Sequence, residues 1–125
     1  MSGLQVIQFK PEGSEIVIKV HVGYANYGEY WFYLYDKNGK NPQLIGSGIT
    51  HDEIPDQIEI IEPSSINNRV FYWQVRTIKT ERTQPSKYYV SIQVEQDGMT
   101  LYEDEWEDNF SNFVEEFAGM LKFQS

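Results

Sequence analysis

The sequence predicts a mainly β protein: an antiparallel β-sandwich of about seven strands closed by one C-terminal α-helix. Three observations carry this expectation. Apolar and polar residues alternate over 15–22 and 88–95, the period of a strand with one buried face, and 69–79 between them reads as a further strand. Clusters of Gly, Pro, Asn and Asp punctuate the chain every ten residues or so, the rhythm of a sandwich. After residue 109 the apolar spacing changes to three and four, the period of a helix.

The elements follow in order. Residues 4–9 are apolar on both faces and stop before the turn cluster Pro11, Glu12 and Gly13. In 15–22, Ile16, Ile18, Val20 and Val22 share one face, and Glu15, Val17, Lys19 and His21 the other. The run 29–35 is almost wholly aromatic and meets Asp36-Lys37-Asn38-Gly39, a hairpin-type turn. Residues 44–49 complete that hairpin, with Gly46 and Gly48 weakening the strand or marking a bulge. Residues 57–61 lie between Pro55 and Pro63. In 69–79, Phe71, Trp73 and Val75 point inward and Tyr72, Gln74 and Arg76 outward. In 88–95, Tyr88, Val90, Ile92 and Val94 oppose Tyr89, Ser91, Gln93 and Glu95. The expected core includes Ile18, Val20, Trp73, Val90 and Ile92. Phe110, Phe113, Val114, Phe117 and Leu121 then form one helical stripe, placing a helix at about 110–122. Asn112 with Glu115 reads as a capping box, and Asp108 suits the positive end of the helix dipole. Gly119 is the residue inside that stripe which disfavours a helix.

At 125 residues the chain is expected to form one domain spanning 1–125, with no repeat, linker or low-complexity segment. A domain of this size buries roughly two-thirds of its unfolded surface, enough for one core without staples. In strand count and spacing it resembles an immunoglobulin-like or fibronectin-type sandwich. The resemblance is architectural and carries no functional residue across. No cysteine is present, which removes disulfides, thiolate metal sites and a cysteine nucleophile together and fits a reducing compartment. The first residues offer no basic region and no long apolar stretch, so no signal peptide is expected. The longest apolar run, Tyr30 to Tyr35, is far too short to cross a bilayer. A cytoplasmic protein is the expectation. A net charge of −9 repels nucleic-acid phosphates and anionic membranes and attracts basic partners.

Several chemistries lack their residues. With two histidines and no Gly-Xaa-Ser-Xaa-Gly elbow, no hydrolase triad is legible, and there is no Walker or dinucleotide fingerprint. His51, Asp52, Glu53 and Asp56 crowd one loop, but neighbours in a loop seldom converge on a metal without a distant ligand. The acidic segment 103–108 holds five acids around Trp106, yet it lacks the alternating acids and sixth-position glycine of a calcium-binding EF-hand loop. No enzyme, metal or cofactor is expected.

Two features point to binding. Side chains alternate along a strand, so the aromatic run must leave a row of large residues on its outer face. Trp31, Tyr33 and Tyr35 are assigned outward, because tyrosine tolerates a wet hydroxyl. With Tyr72 and Arg76, and with Tyr89 from a strand expected beside them, they form a face rich in the types that dominate binding hot spots. The second feature is Glu103, Asp104, Glu105 and Trp106, read as an acidic docking segment with an aromatic anchor, or else as a solvated linker. The expected function is a protein-interaction module, an adaptor, inhibitor or immunity-type protein, whose partner has a basic surface. A second copy of the chain could also cover the aromatic face. The alternative is a carbohydrate-binding module that stacks sugars on Trp31, Tyr33 and Tyr35.

Overall fold

The structure, a computed structural model, describes residues 4–24, 26–50, 54–80 and 87–125. Nine strands form: β1 (Gln5–Gln8), β2 (Ile16–Val22), β3 (Tyr27–Leu34), β4 (Gln43–Thr50), β5 (Asp56–Ile60), β6 (Val70–Ile78), β7 (Lys87–Gln96), β8 (Met99–Asn109) and β9 (Val114–Gln124). The seven expected strands are all present. A short 3₁₀ turn, Pro63–Ile66, links β5 to β6.

Two sheets result, one ordered β1-β9-β6-β3-β4 and the other β5-β2-β7-β8. Every pairing is antiparallel except β1 with β9, which is parallel. The core draws on both sheets. Ile16, Ile18, Val20, Val22, Val90, Ile92 and Val94 from the four-stranded sheet are buried with Phe32, Phe71, Trp73, Val75, Leu121 and Phe123 from the five-stranded one. Ile18, Val20, Trp73, Val90 and Ile92 are each fully buried, as alternation requires.

The C-terminal helix does not form. Residues 114–124 are instead β9, hydrogen-bonded between β1 and β6. Phe117, Leu121 and Phe123 alternate onto the core side, whereas Phe113 of the helical stripe is 63% exposed. Gly119 explains both the fold and the misreading. It lies opposite Trp73, and a β-carbon added there would sit 2.6 Å from the indole ring. The glycine is a notch for Trp73, and the missing side chain hides the period of two. The Asn112–Glu115 pair does cap something: the Glu115 carboxylate accepts the backbone N–H groups of Ser111 and Asn112, at 2.8 and 3.1 Å, but in a bend that opens a strand.

The acidic segment is not a linker either. It is most of β8, paired along β7 through a two-residue turn at Asp97 and Gly98, whose φ values are +54° and +73°. Positive φ at both central residues is the hairpin geometry that matches strand twist. Gln96, buried beside the turn, bonds to Lys10 and Ser14, and the Asp97 carboxylate accepts the Ser14 N–H at 3.0 Å.

Candidate functional site

Each sheet has an outer face, and the two differ in chemistry. On the five-stranded sheet, register places Met120, Tyr72, Tyr33 and Leu44 side by side on β9, β6, β3 and β4. Leu4, just ahead of β1, extends this row. Leu4 and Leu44 are each 51% exposed, and the Tyr33 and Tyr72 rings lie 6.0 Å apart. The next row is Ala118, Gln74, Trp31 and Ser47, and the next is Glu116, Arg76, Glu29 and Ile49. Tyr35 lies just past β3, its N–H bonded to the Val70 carbonyl at 2.9 Å. Trp31, Tyr33, Tyr35, Tyr72 and Arg76 are all half-buried. The outward assignment of Trp31 and Tyr33 agrees with the structure, and β9 lies within the sheet rather than over it.

Arg76 is already engaged. Its guanidinium lies 3.0 Å from Glu116 and 3.8 Å from Glu29, and 5.6 Å above the Trp31 ring. It offsets one of the two carboxylates in its own row, leaving that row a single net negative charge, and holds the indole.

Tyr89 does not join this face. It is on β7, in the other sheet, opposite Glu107 of β8. Alternation along a strand reveals faces but not which sheet a strand enters: of the two strands expected beside β3, β6 is there and β7 is not. Trp106 is also misread as an exposed anchor. Register sets it opposite the buried Val90, and its ring lies 5.0 Å from Phe117 and 5.3 Å from Trp73. Asp104 shares that inner side, opposite Ile92, where it accepts the Tyr102 hydroxyl at 3.2 Å. Burial, with Asp104 beside it, pushes the Tyr102 hydroxyl up to about 12. An inward charge on an edge strand such as β8 discourages another strand from pairing there.

What remains outward is a row: Glu103, Glu105 and Glu107, facing Gln93, Ser91 and Tyr89. With Glu59 and Glu95 the outer face of this sheet carries five carboxylates, against Lys19 and Lys87. Lys19 is paired with Glu95 at 3.2 Å. Among the described residues no lysine or arginine pairs with Glu103, Glu105 or Glu107. The Tyr89 hydroxyl donates to Glu105 at 2.9 Å, and the Tyr24 hydroxyl donates to Glu107. Burial first, and then the bond to Glu105, raises the Tyr89 hydroxyl; the bond to Glu107 raises that of Tyr24. Sequence reasoning missed Tyr24, Glu107, Leu44 and Met120. The Asp97-Gly98 turn, the strongest short-range hairpin signal, could have supplied the β8 register and with it Glu107.

Among the described residues no three His, Asp or Glu side chains are grouped to hold a metal ion. The cluster expected at His51, Asp52 and Glu53 lies outside the described residues, and its fourth member, Asp56, accepts the Tyr30 hydroxyl at 2.9 Å. No described helix is long and apolar enough to cross a membrane. Comparison with protein-family models, with curated proteins and with solved structures finds no match to this chain.

Proposed function

We propose that the chain is a non-enzymatic interaction module, a β-sandwich of immunoglobulin-like or fibronectin-like kind that holds a protein partner on its aromatic face and a basic one on its acidic face. The observation that carries this reading is the apolar row Met120, Tyr72, Tyr33 and Leu44, aligned across four strands, with Leu4 just ahead of the fifth and Trp31 beside it. Patches of this breadth rarely stay bare on a soluble protein, and aromatic anchors on a rigid sheet lose little entropy when a partner docks. The acidic row speeds encounter with a basic partner by long-range attraction. Because the two faces are back to back, bridging two partners suits the geometry better than occluding one. That favours the adaptor among the roles expected. Sugar stacking at Trp31 is disfavoured by Arg76, which occupies a face of that ring.

The experiment is a capture from the native host with quantitative mass spectrometry, comparing three baits. Wild type retains two sets of proteins; Trp31→Ala with Tyr33→Ala loses one set; Glu103→Gln, Glu105→Gln and Glu107→Gln together lose the other. Affinity for the first set falls by about 2 kcal/mol or more, roughly thirtyfold, as for paired hot-spot residues. Equal recovery by all three baits sinks the reading. A glycan panel that binds wild type and not the Trp31/Tyr33 variant transfers the face to carbohydrate.

A further inference from the structure

At one end of the acidic row lies a shallow cavity of about 230 Å³, lined by His21, Gly23, Tyr24, Tyr89 and Glu107. Three strands build it. Gly23, just past β2, donates its N–H to the Tyr89 carbonyl at 2.8 Å, and Tyr89 pairs with Glu107 across β7 and β8. Gly23 is the floor: a β-carbon there would meet the Tyr89 β-carbon at 3.2 Å, so a larger residue would crowd the wall. The His21 ring meets Tyr89 edge-on at 5.5 Å. The Tyr24 ring closes the far side through its hydroxyl on Glu107.

Three aromatic rings and a carboxylate, with no lysine or arginine among the described residues of the lining, specify a cationic guest. Ring faces carry negative potential, and a carboxylate at the wall supplies the counter-charge. The shape of the cation can be argued further. Glu105 and Glu107 each commit Oε2 to a tyrosine hydroxyl. The planar fork of an arginine would have to share Oε2 with the tyrosine hydroxyl, whereas a compact ammonium needs only the other oxygen. We propose that this cavity receives the ammonium end of a lysine side chain from the basic partner, held by the Tyr24 and Tyr89 rings and the Glu107 carboxylate. The proposal rests on the acidic face being a docking surface and names the group it grips.

The test is a ¹⁵N NMR titration with Nα-acetyl-lysine methylamide and with the same compound acetylated on Nε. The charged compound is expected to give saturable shifts at the Gly23, Tyr24 and Tyr89 amides, and the neutral one none. Glu107→Gln, which keeps the shape of the side chain, is expected to weaken binding about tenfold, the scale of a bond to a charged group. Tyr24→Phe, which keeps the ring, is expected to leave the charged compound bound. Trp31→Ala with Tyr33→Ala on the opposite face leaves the titration unchanged. Equal shifts with both compounds, or an unaltered affinity in a folded Glu107→Gln variant, overturn the proposal. A ten-residue lysine peptide separates the two ideas. If it binds and loses affinity with Glu103→Gln and Glu105→Gln, while the lysine amide leaves the cavity silent, the pocket fails and the acidic docking face stands. If neither binds, both fall.

Discussion

The two outer faces are made by the same rule and differ in chemistry. Each is the half of an alternating pattern that the core does not take. On the five-stranded sheet that half is Trp31, Tyr33, Tyr72 and Met120, with Arg76 offsetting one of its two flanking carboxylates, Glu29 and Glu116. On the four-stranded sheet it is Glu103, Glu105 and Glu107, with no lysine or arginine paired to them among the described residues. One face has unspent apolar area and little charge; the other has unspent charge and little apolar area. On the proposed function, affinity belongs with the first and steering with the second, because desolvated aromatics slow dissociation while exposed charges act mainly on encounter.

The sharpest way to break this comparison uses two tryptophans. Trp31 belongs to a face and Trp106 to the inside, stacked on Phe117 and tilted against Trp73. Trp106→Ala is expected to cost about 2–3 kcal/mol of folding stability, below the range for a fully buried aromatic because Trp106 is only half-buried. Denaturant unfolding measures it. Trp31→Ala is expected to cost less than about 1 kcal/mol, the scale of a cross-strand pair. Equal losses at the two positions would make the aromatic face part of the core and remove it as a docking surface.

Why one of these tryptophans was legible and the other was not has a physical answer. Residues 16–22 and 88–95 alternate cleanly because β2 and β7 are central strands, each with one face in the core. In β8 the alternation is present, Tyr102, Asp104 and Trp106 against Glu103, Glu105 and Glu107, but acids stand on both sides and conceal it. Asp and Glu disfavour strands locally, so only the tight Asp97-Gly98 turn announced that β8 folds back on β7. In β9 both periods coexist. Phe117 and Leu121 fit a helix and a strand equally, and the residue that would decide, Gly119, has lost its side chain to make room for Trp73. Local pattern yielded to packing with a residue 46 positions away in the chain, numbered 73 against 119. The outward aromatic row survived these errors because alternation within β3 alone determines it; the assignment of Tyr89 did not, because it needed the sheet order.

A smaller effect sharpens the acidic side. Replacing Glu103, Glu105 and Glu107 by Gln relieves repulsion between like charges without removing any core contact. The melting temperature is expected to stay level or rise slightly, since exposed charges contribute little to stability. Association with a basic partner is expected to slow severalfold at low salt and to lose most of its salt dependence. Stopped-flow rates across a salt series check both. Unchanged rates would leave the row as a solvated strand face.

The smallest expected effect separates two kinds of acid on one hairpin. Asp97 sits at the turn, where its carboxylate accepts the Ser14 N–H at 3.0 Å; that bond, followed by one from the Ser14 side chain, makes it a stronger acid and holds its pKa below the ordinary carboxylate value. Asp36 is the counterpart in the β3–β4 turn, lowered first by the backbone N–H of Lys40 and then by Asn41 and Asn38. A carboxyl whose folded value is depressed stabilises the fold in full above its unfolded value near 3.8, and that contribution fades as pH falls through the folded value. Asp97→Asn is therefore expected to lower the melting temperature slightly at pH 7, and the gap from wild type is expected to close as the pH drops below 3.8. Asn keeps an oxygen for the Ser14 N–H and tolerates the positive φ, so the difference reports the charge rather than the turn. Removing a charge at 97 then acts against folding, whereas removing charges at 103, 105 and 107 does not. If thermal melts across pH show Asp97→Asn tracking the Gln triple variant instead, the hairpin holds one undifferentiated set of acids, and the acidic row loses its claim to be charge held in reserve for a partner.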